Sequence, residues 1–559
     1  MTLLNLKHLL FAALLVSCLL QPAHAKSAHH LRIGISQYPS TLHPMFDAMV
    51  AKSLVLGPSL RSVTAHDASW QMTCLLCTEL PSFENGRAKK ITLPDGNSGI
   101  AARYTLKDDL FWADGKPLTS ADIRFAWSVG KHPQSGVGNG EFFSKDIHDI
   151  TVEDAQNFTV VFSKEKCEFS GIGDLYPLPA HLEEEIFQSD PANYKNKTLY
   201  NTAPHTPGLY MGPYKITDVA PGAHITLEKN PHWQGKQPSF EKISFRTIEN
   251  SAALSANLLS GEIDYIAGEL GLTLDQALSF EKRLPKGKFT VHYHPSLTYE
   301  HIDLPLDKPP FDDVRIRQAL MYAMNRDAIN VRIFDGRQPV AVSNVNPQDT
   351  VFTKDVMLYP HDPERAAALL NDAGWMLRDD GFRYNPEGEK LALSLMTTAG
   401  NRSRETIQQA LQADWRKIGI QADIQNEPAR VLFGDTMRNR SFTGGVMYAW
   451  MSAPRNIPKT TLYSTMIPGP ENNYAGQNYT AYTSAEMDKL IDDLDVVCEK
   501  DANLKLWHDL QKLYAQDLPA LPLYYRADPF VIPVWLKGIL PTGHLNPSTL
   551  WIENWEISP

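Results

Sequence analysis

Along the chain, stretches that alternate apolar and polar residues trade places with stretches whose apolar residues recur every three or four positions. Leu31-Arg32-Ile33-Gly34-Ile35 alternates and predicts a strand. A loop bounded by Pro39 and Pro44 follows it, carrying Tyr38 at its start. Residues 86–112 read as β-structure broken by Pro94-Asp95-Gly96, a turn signal. Thr119-Ser120-Ala121-Asp122 has the spacing of a capping box, in which hydroxyl and carboxylate each satisfy a backbone N–H of the first turn. The helix it opens puts Ile123, Ala126, Trp127 and Gly130 on one face, and residues 131–140, rich in Gly, Pro and Ser, form a loop. Between 213 and 266 the pattern is strand, strand, helix, strand: 224–228 and 243–248 alternate, 252–259 is helical, and Gly261 supplies the left-handed stop. Asp362-Pro363-Glu364 starts a further helix, with Asp as cap and Pro at the first position, where its missing N–H costs nothing. Ala366, Leu369, Leu370 and Ala373 are its apolar stripe. Ile407, Leu411, Trp415 and Ile418 mark another helix, followed by alternation at Ile420, Ala422 and Ile424. Cys498 is read onto the apolar face of a helix with Met487, Leu490, Ile491 and Leu494. Helices and strands in this rhythm predict α/β domains, and the absence of a low-complexity linker predicts domains that interleave.

The 559 residues suggest roughly three or four compact units. The chain is 43% hydrophobic, enough for large cores, and its 53 Lys and Arg against 64 Asp and Glu leave no basic surplus, which argues against a nucleic-acid partner. Mean hydropathy is -0.30, and the one long apolar run lies near the start. There Lys7 precedes residues 9–20, and Ala23-His24-Ala25 follows; this is the pattern of a secretory signal cleaved after Ala25, since a spanning helix needs about 20 apolar residues. Leu15-Val16-Ser17-Cys18 resembles a lipobox and offers a lipid anchor at Cys18 as the minor alternative. Either route places the mature protein outside the cytoplasm, in the periplasm. His29-His30 would then be a flexible end. The four cysteines left after export, Cys74, Cys77, Cys167 and Cys498, allow one or two disulfides. Cys74-Leu75-Leu76-Cys77 lacks the second ligand pair of a zinc site and the βαβ setting of a redox site, so it reads as structural.

Reaction centres are absent from the sequence. It carries no G-x-S-x-G elbow, P-loop, H-E-x-x-H or dinucleotide fingerprint, and Asp379-Asp380-Gly381 reads as a turn. No cofactor and no metal site is expected, and an exported enzyme is the weakest reading.

Several stretches, in order, resemble the family 5 extracellular solute-binding proteins, the peptide and nickel receptors of bacterial ABC importers. They are Trp112-Ala113-Asp114-Gly115-Lys116-Pro117-Leu118-Thr119-Ser120-Ala121-Asp122, Gly212-Pro213-Tyr214 with Asn230-Pro231-His232-Trp233, Gly261-Glu262-Ile263-Asp264, Pro309-Pro310-Phe311 through Arg315-Ile316-Arg317-Gln318-Ala319-Leu320, and Leu518-Pro519-Ala520-Leu521-Pro522-Leu523. Each also has a scaffold reading: Thr119 and Asp122 cap a helix, and Arg315 and Arg317 tie a helix start to Asp312 or Asp313. The resemblance implies a two-lobed α/β periplasmic binding protein fold of type II, with an extra domain and a hinge. Lobe I would comprise 26–66, 206–296 and 528–559, the extra domain 67–205, and lobe II 297–527, with 297–303 one of two crossings.

It also implies where a ligand sits. Peptide-binding members carry an acid after the tryptophan of a stretch that corresponds here to Val446-Met447-Tyr448-Ala449-Trp450-Met451-Ser452-Ala453-Pro454-Arg455. Ser452 and Ala453 stand where that acid would be. A buried ammonium without a carboxylate is costly, so either another acid serves or the ligand is no ordinary free-amine peptide, and Arg455 offers a fork for a carboxylate or phosphate. The candidate ligand residues are Tyr38 in the first lobe and Tyr448, Trp450, Arg455, Tyr474 and Asn478 in the second. The expected role is a monomeric receptor that passes a peptide or peptide-like solute to the permease and ATPase of an ABC importer. Opine-like, sugar-phosphate or metal-chelate solutes, and service as a signalling co-receptor or chaperone, are the alternatives.

Overall fold

The computed structural model describes residues 30–47, 49–137, 140, 142–428, 431–470 and 476–558. Residues 1–25, read above as a leader and including Cys18, and Tyr474 lie outside them.

Ten strands, numbered here in chain order, form one continuous sheet: β1 (His30–Ile35), β2 (Tyr214–Ala220), β3 (His224–Lys229), β4 (Lys242–Thr247), β5 (Tyr265–Ile266), β6 (Phe289–Asp303), β7 (Ala392–Met396), β8 (Gln421–Ile424), β9 (Gly445–Met451) and β10 (Leu521–Pro533). Their order is β8-β7-β9-β6-β10-β5-β1-β4-β3-β2. The two halves of this sheet belong to different lobes, and β6 and β10, 15 and 13 residues long, run through both. They pair antiparallel, but between Pro295/Ala527 and Tyr299/Tyr525 the register slips, leaving residues 296–298 against Arg526 alone. An interruption of this kind bends a strand and loosens its ladder. The freed backbone groups find other partners: Leu297 N–H donates to the Gly543 carbonyl (2.6 Å), Asn346 Nδ2 to Ser296 O (2.7 Å) and Ser452 N–H to Leu297 O (3.1 Å).

A separate four-stranded sheet, with Ser98–Thr105 and Asn157–Phe162 at its centre, carries the helix α1 (Ser120–Lys131). Asp122 accepts the Thr119 N–H at 2.8 Å, closing the foreseen cap. This sheet is not an independent body. Trp112, Ile123, Phe158 and Val160 share one hydrophobic cluster with Leu31, Ile33 and Ile35 of β1. The second lobe buries Ile302 of β6 with Ile316 and Leu320 of α2 (Val314–Ala323), and with Leu411 and Trp415 of α3 (Arg402–Lys417). Trp415 Nε1 donates to the Leu320 carbonyl at 3.1 Å, so its polar edge is satisfied inside the core. Against the other face of the second-lobe sheet pack α4 (Ala485–Val496) and α5 (Lys500–Asp517) through Met487, Leu490, Trp507 and Tyr514.

Four expectations from the sequence are corrected by the fold. β2 is a full strand at the sheet edge that alternation did not reveal, because a bulge between Ile216 and Asp218 shifts its facing by one residue. His30 is no loose end: it begins β1, with its Nε2 2.9 Å from Ser244 Oγ. Arg315 does pair with Asp313, but Arg317 spends its guanidinium on the carbonyls of Phe311, Asp312 and Asp517. Cys498 lies beyond the end of α4 and is bonded to Cys167, not packed on the helix face. The other bridge joins Cys74 to Cys77.

Candidate functional site

Where β6 enters the second lobe, its residues divide by face. Glu300 points to one side and is enclosed by two guanidiniums. Arg404 of α3 lies with Nη2 at 3.1 Å from Oε1 and Nε at 3.2 Å from Oε2, and Arg526 of β10 donates from Nε at 2.8 Å. Burial alone would push this carboxyl up, but the Arg404 and Arg526 charges outweigh it and hold Glu300 down at about 2. The network ties both crossing strands to a second-lobe helix, which fixes the strands at the slip in register.

The opposite face carries Tyr299, His301 and Asp303. The rings of Tyr299 and His301 stack at 4.6 Å, and Tyr448 of β9, the register partner of His301, meets it edge-on at 4.4 Å. Tyr448 donates its hydroxyl to Asp303 at 2.6 Å. His301 Nε2 lies 3.5 Å from Asp303 Oδ1; burial raises Asp303 to about 7, and burial lowers His301 to about 4. His301 is therefore neutral at physiological pH, and Asp303 keeps its proton below about pH 7 and gives it up above.

From this buried base an aromatic series leads outward. Tyr448 meets Trp450 at 5.7 Å, and Phe433, 41% exposed, meets Tyr448 at 5.7 Å. Trp450 is half-buried at the end of β9, and Tyr479 is half-buried beside Asp303 and Arg438. Arg440 reaches across with Nε to the Tyr479 carbonyl (3.0 Å) and is paired with Asp307 at 2.7 Å. Aromatic faces with a few fixed polar groups suit a cleft that must orient a solute.

The six sequence candidates divide accordingly. Tyr448 is fully buried with its hydroxyl spent on Asp303, so it has no polar group to offer a ligand. Trp450 is half-buried, with its ring set edge-on to that of Tyr448. Asn478 has no group to offer: it is fully buried, donates from Nδ2 to the Tyr463 (3.1 Å) and Tyr482 (2.8 Å) carbonyls, and accepts the Tyr482 N–H at 3.0 Å. Its amide holds together the turn that leads to Tyr482. Arg455, in the left-handed region at φ 53°, gives its N–H to Asp349 (2.7 Å) and its Nη2 to Asn503 (3.0 Å), while Nε faces Glu168 of the four-stranded-sheet domain at 3.4 Å. Its fork is thus already engaged with protein partners. Tyr38 is half-buried against the first-lobe core. Its loop is anchored by Thr41 Oγ1 to Asn201 (2.7 Å) and by Lys52 Nζ to Pro44 O (2.7 Å); burial lowers Lys52 to about 8. Tyr474 lies outside the described residues. No acid follows Trp450, and Ser452 continues the crossing by bonding Leu297.

Phe433, Asp303 and His301 escaped the sequence reading. Their signal was there in part: Tyr299, His301 and Asp303 are polar at a period of two on a strand whose faces are both covered. Phe433 had none, because it sits on a short π-helical segment, Leu432–Met437, whose wide turn breaks the usual helical spacing.

The sequence profile of the bacterial extracellular solute-binding proteins, family 5 Middle, matches residues 97–469. The oligopeptide-binding protein AppA of Bacillus subtilis is 24% identical over 482 residues, 85% of each chain. The oligopeptide-binding protein of Thermus thermophilus, solved with a pentapeptide, superposes with a TM-score of 0.81 at 28% identity, covering 94% of this chain and 96% of its own. NikZ of Campylobacter jejuni, solved with Ni(L-His), shares the fold at a TM-score of 0.79 and 20% identity, over 94% of this chain and 99% of its own.

Proposed function

The chain belongs to family 5 of the bacterial extracellular solute-binding proteins, and from that premise we propose that it captures a peptide or peptide-like solute between its lobes. It delivers that solute, as a monomer in the periplasm, to the permease and ATPase of an ABC importer, and it turns nothing over. The observation that carries this reading is the likeness, over nearly the whole chain, to a protein solved with a pentapeptide. The aromatic series from Tyr448 through Trp450 to Phe433 supports it, since such a wall takes extended, chemically varied side chains. Binding free energy then appears as differential affinity for the closed arrangement.

One feature favours a narrower solute. With Ser452 and Ala453 after Trp450, the second lobe supplies no carboxylate at that position, and an enclosed ammonium left unpaired costs several kcal/mol. Solutes whose amine is blocked or absent fit better, including a modified peptide, an opine-like acid or a metal chelate.

Native mass spectrometry of protein purified without refolding tests the proposal. A co-purifying peptide or peptide-like mass is expected, and adding it back at a hundredfold excess over Kd should stabilise the fold by about 2.7 kcal/mol. Recovery of a solute with no peptide-like character, with no stabilisation by a pool of amine-blocked peptides, overturns the peptide assignment; chemical turnover of the bound solute overturns the receptor role.

A further inference from the structure

Besides the crossing strands, the lobes share a second connection, and it is covalent. Cys167 stands five residues beyond the strand Asn157–Phe162, and Cys498 two residues beyond α4; a disulfide joins them across a sequence separation of 331. The first cysteine belongs to the body that shares its core with β1, and the second to the lobe built on β7 to β9.

Neither end sits on a slack arm. Next to Cys167, Phe169, Ile172 and Leu175 are buried in the first-lobe cluster, and the Tyr104 hydroxyl contacts the carbonyls of Phe169 (3.2 Å) and Ser170 (3.1 Å). Next to Cys498, Asn503 Nδ2 donates to the Leu494 (3.2 Å) and Val497 (2.8 Å) carbonyls, and Val497 N–H donates to Asp493 O at 2.8 Å. Three further contacts bridge the same seam: Cys167 N–H to the Asp495 carbonyl at 2.8 Å, Lys164 to Asp495, and Glu168 to Arg455. The polar contacts can part and re-form as the lobes move. The disulfide cannot.

A disulfide holds its Cα atoms within about 7 Å of each other; here they are 5.1 Å apart. Two rigid bodies joined at two separate places keep only rotation about the line through both. We propose that Cys167–Cys498 is a covalent stop: it forbids the lobes to part as a jaw and leaves them a restricted rotation about the axis from the bridge to the slip between β6 and β10. This constraint holds whatever solute the protein takes.

Small-angle scattering of the full mature chain, stripped of bound solute by dialysis, tests the stop. The oxidised protein should stay near the radius of gyration of about 24 Å expected for a compact chain of this length. The Cys167→Ser/Cys498→Ser variant should show a larger radius and a longer maximum dimension, with unchanged circular dichroism. The Cys74→Ser/Cys77→Ser variant, which lacks only the local bridge, should match the oxidised wild type, and should expand on treatment with a phosphine reductant. That second variant supplies the answer if the first does not fold. Identical scattering before and after loss of the 167–498 bridge overturns the proposal, as does peptide mapping that finds free thiols at both positions in protein purified without reductant.

Discussion

At the strand crossing, the lobes are joined by continuous backbone and by one buried carboxylate between two guanidiniums; at the seam of Cys167 and Cys498, they are joined by a disulfide among exposed ion pairs. The crossing already has its partners close together, because β6 and β10 carry them there. What it needs is a firm anchor in the second lobe beside the point where the ladder slips, and Glu300 supplies it by binding Arg404 and Arg526 in a buried network. The seam has no chain passing through it, and exposed pairs such as Glu168–Arg455 contribute little against solvent and salt. Only a covalent bond gives a lasting constraint there. Buried charge thus sets geometry where the chain is continuous, and a cross-link sets it where the chain is not.

The largest effect should come from the crossing. Glu300→Ala leaves Arg404 buried without its partner and should cost about 3–5 kcal/mol, read by urea unfolding at pH 7. The acid limb sharpens the point. Glu300 is held at about 2 against an ordinary 4.5, so its contribution is complete above about pH 4.5 and is lost as the pH falls toward 2. Glu300→Gln should remove that part of the pH dependence; a variant that unfolds in acid along the wild-type curve would assign the network no role.

Loss of the seam bridge should come next, at about 2–4 kcal/mol for Cys167→Ser/Cys498→Ser, and it should exceed the loss from Cys74→Ser/Cys77→Ser, which closes a loop of only a few residues. Equal losses in thermal or urea melts would mean that the long bridge adds nothing as a link between bodies.

A smaller, oppositely signed effect belongs to Asp303, three residues from Glu300 on the same strand. Its carboxyl is raised to about 7, so the folded protein binds the proton more tightly than the unfolded chain does, and stability falls as the pH rises from about 4 to 7. Asp303→Asn, which keeps an acceptor for the Tyr448 hydroxyl, should gain roughly 2–3 kcal/mol relative to wild type between pH 5 and pH 8. Asp528, also raised to about 7 by burial, keeps part of the slope in the variant. The smallest change is expected for Glu168→Gln, within about 1 kcal/mol at low salt and nil at high salt.

The scaffold was legible in the sequence wherever one element carried its own signal. The Thr119–Asp122 cap, Pro363 at a first helical position, Gly261 with φ 81° and the stripe of Ile407, Leu411 and Trp415 all depend on neighbours within a few residues. The cleft was legible only in part, because its geometry is set across long separations. Trp450 stood out by residue type. That Asn478 is consumed by the Tyr463 and Tyr482 carbonyls, that Arg455 is engaged by Asp349, Asn503 and Glu168, and that Cys498 meets a cysteine 331 residues away are facts of tertiary contact. No periodicity encodes them.

Hydrogen exchange read by mass spectrometry, with and without a pool of short amine-blocked peptides at saturating concentration, tests the central claim most directly. A solute enclosed between two lobes should slow exchange in both walls at once, in 36–44 of the first lobe and in 448–456 of the second, while the cores around Trp415 and Ile33 exchange as before. Unchanged exchange in both walls, or protection confined to one lobe, would contradict the account of a receptor that holds a peptide between its two halves.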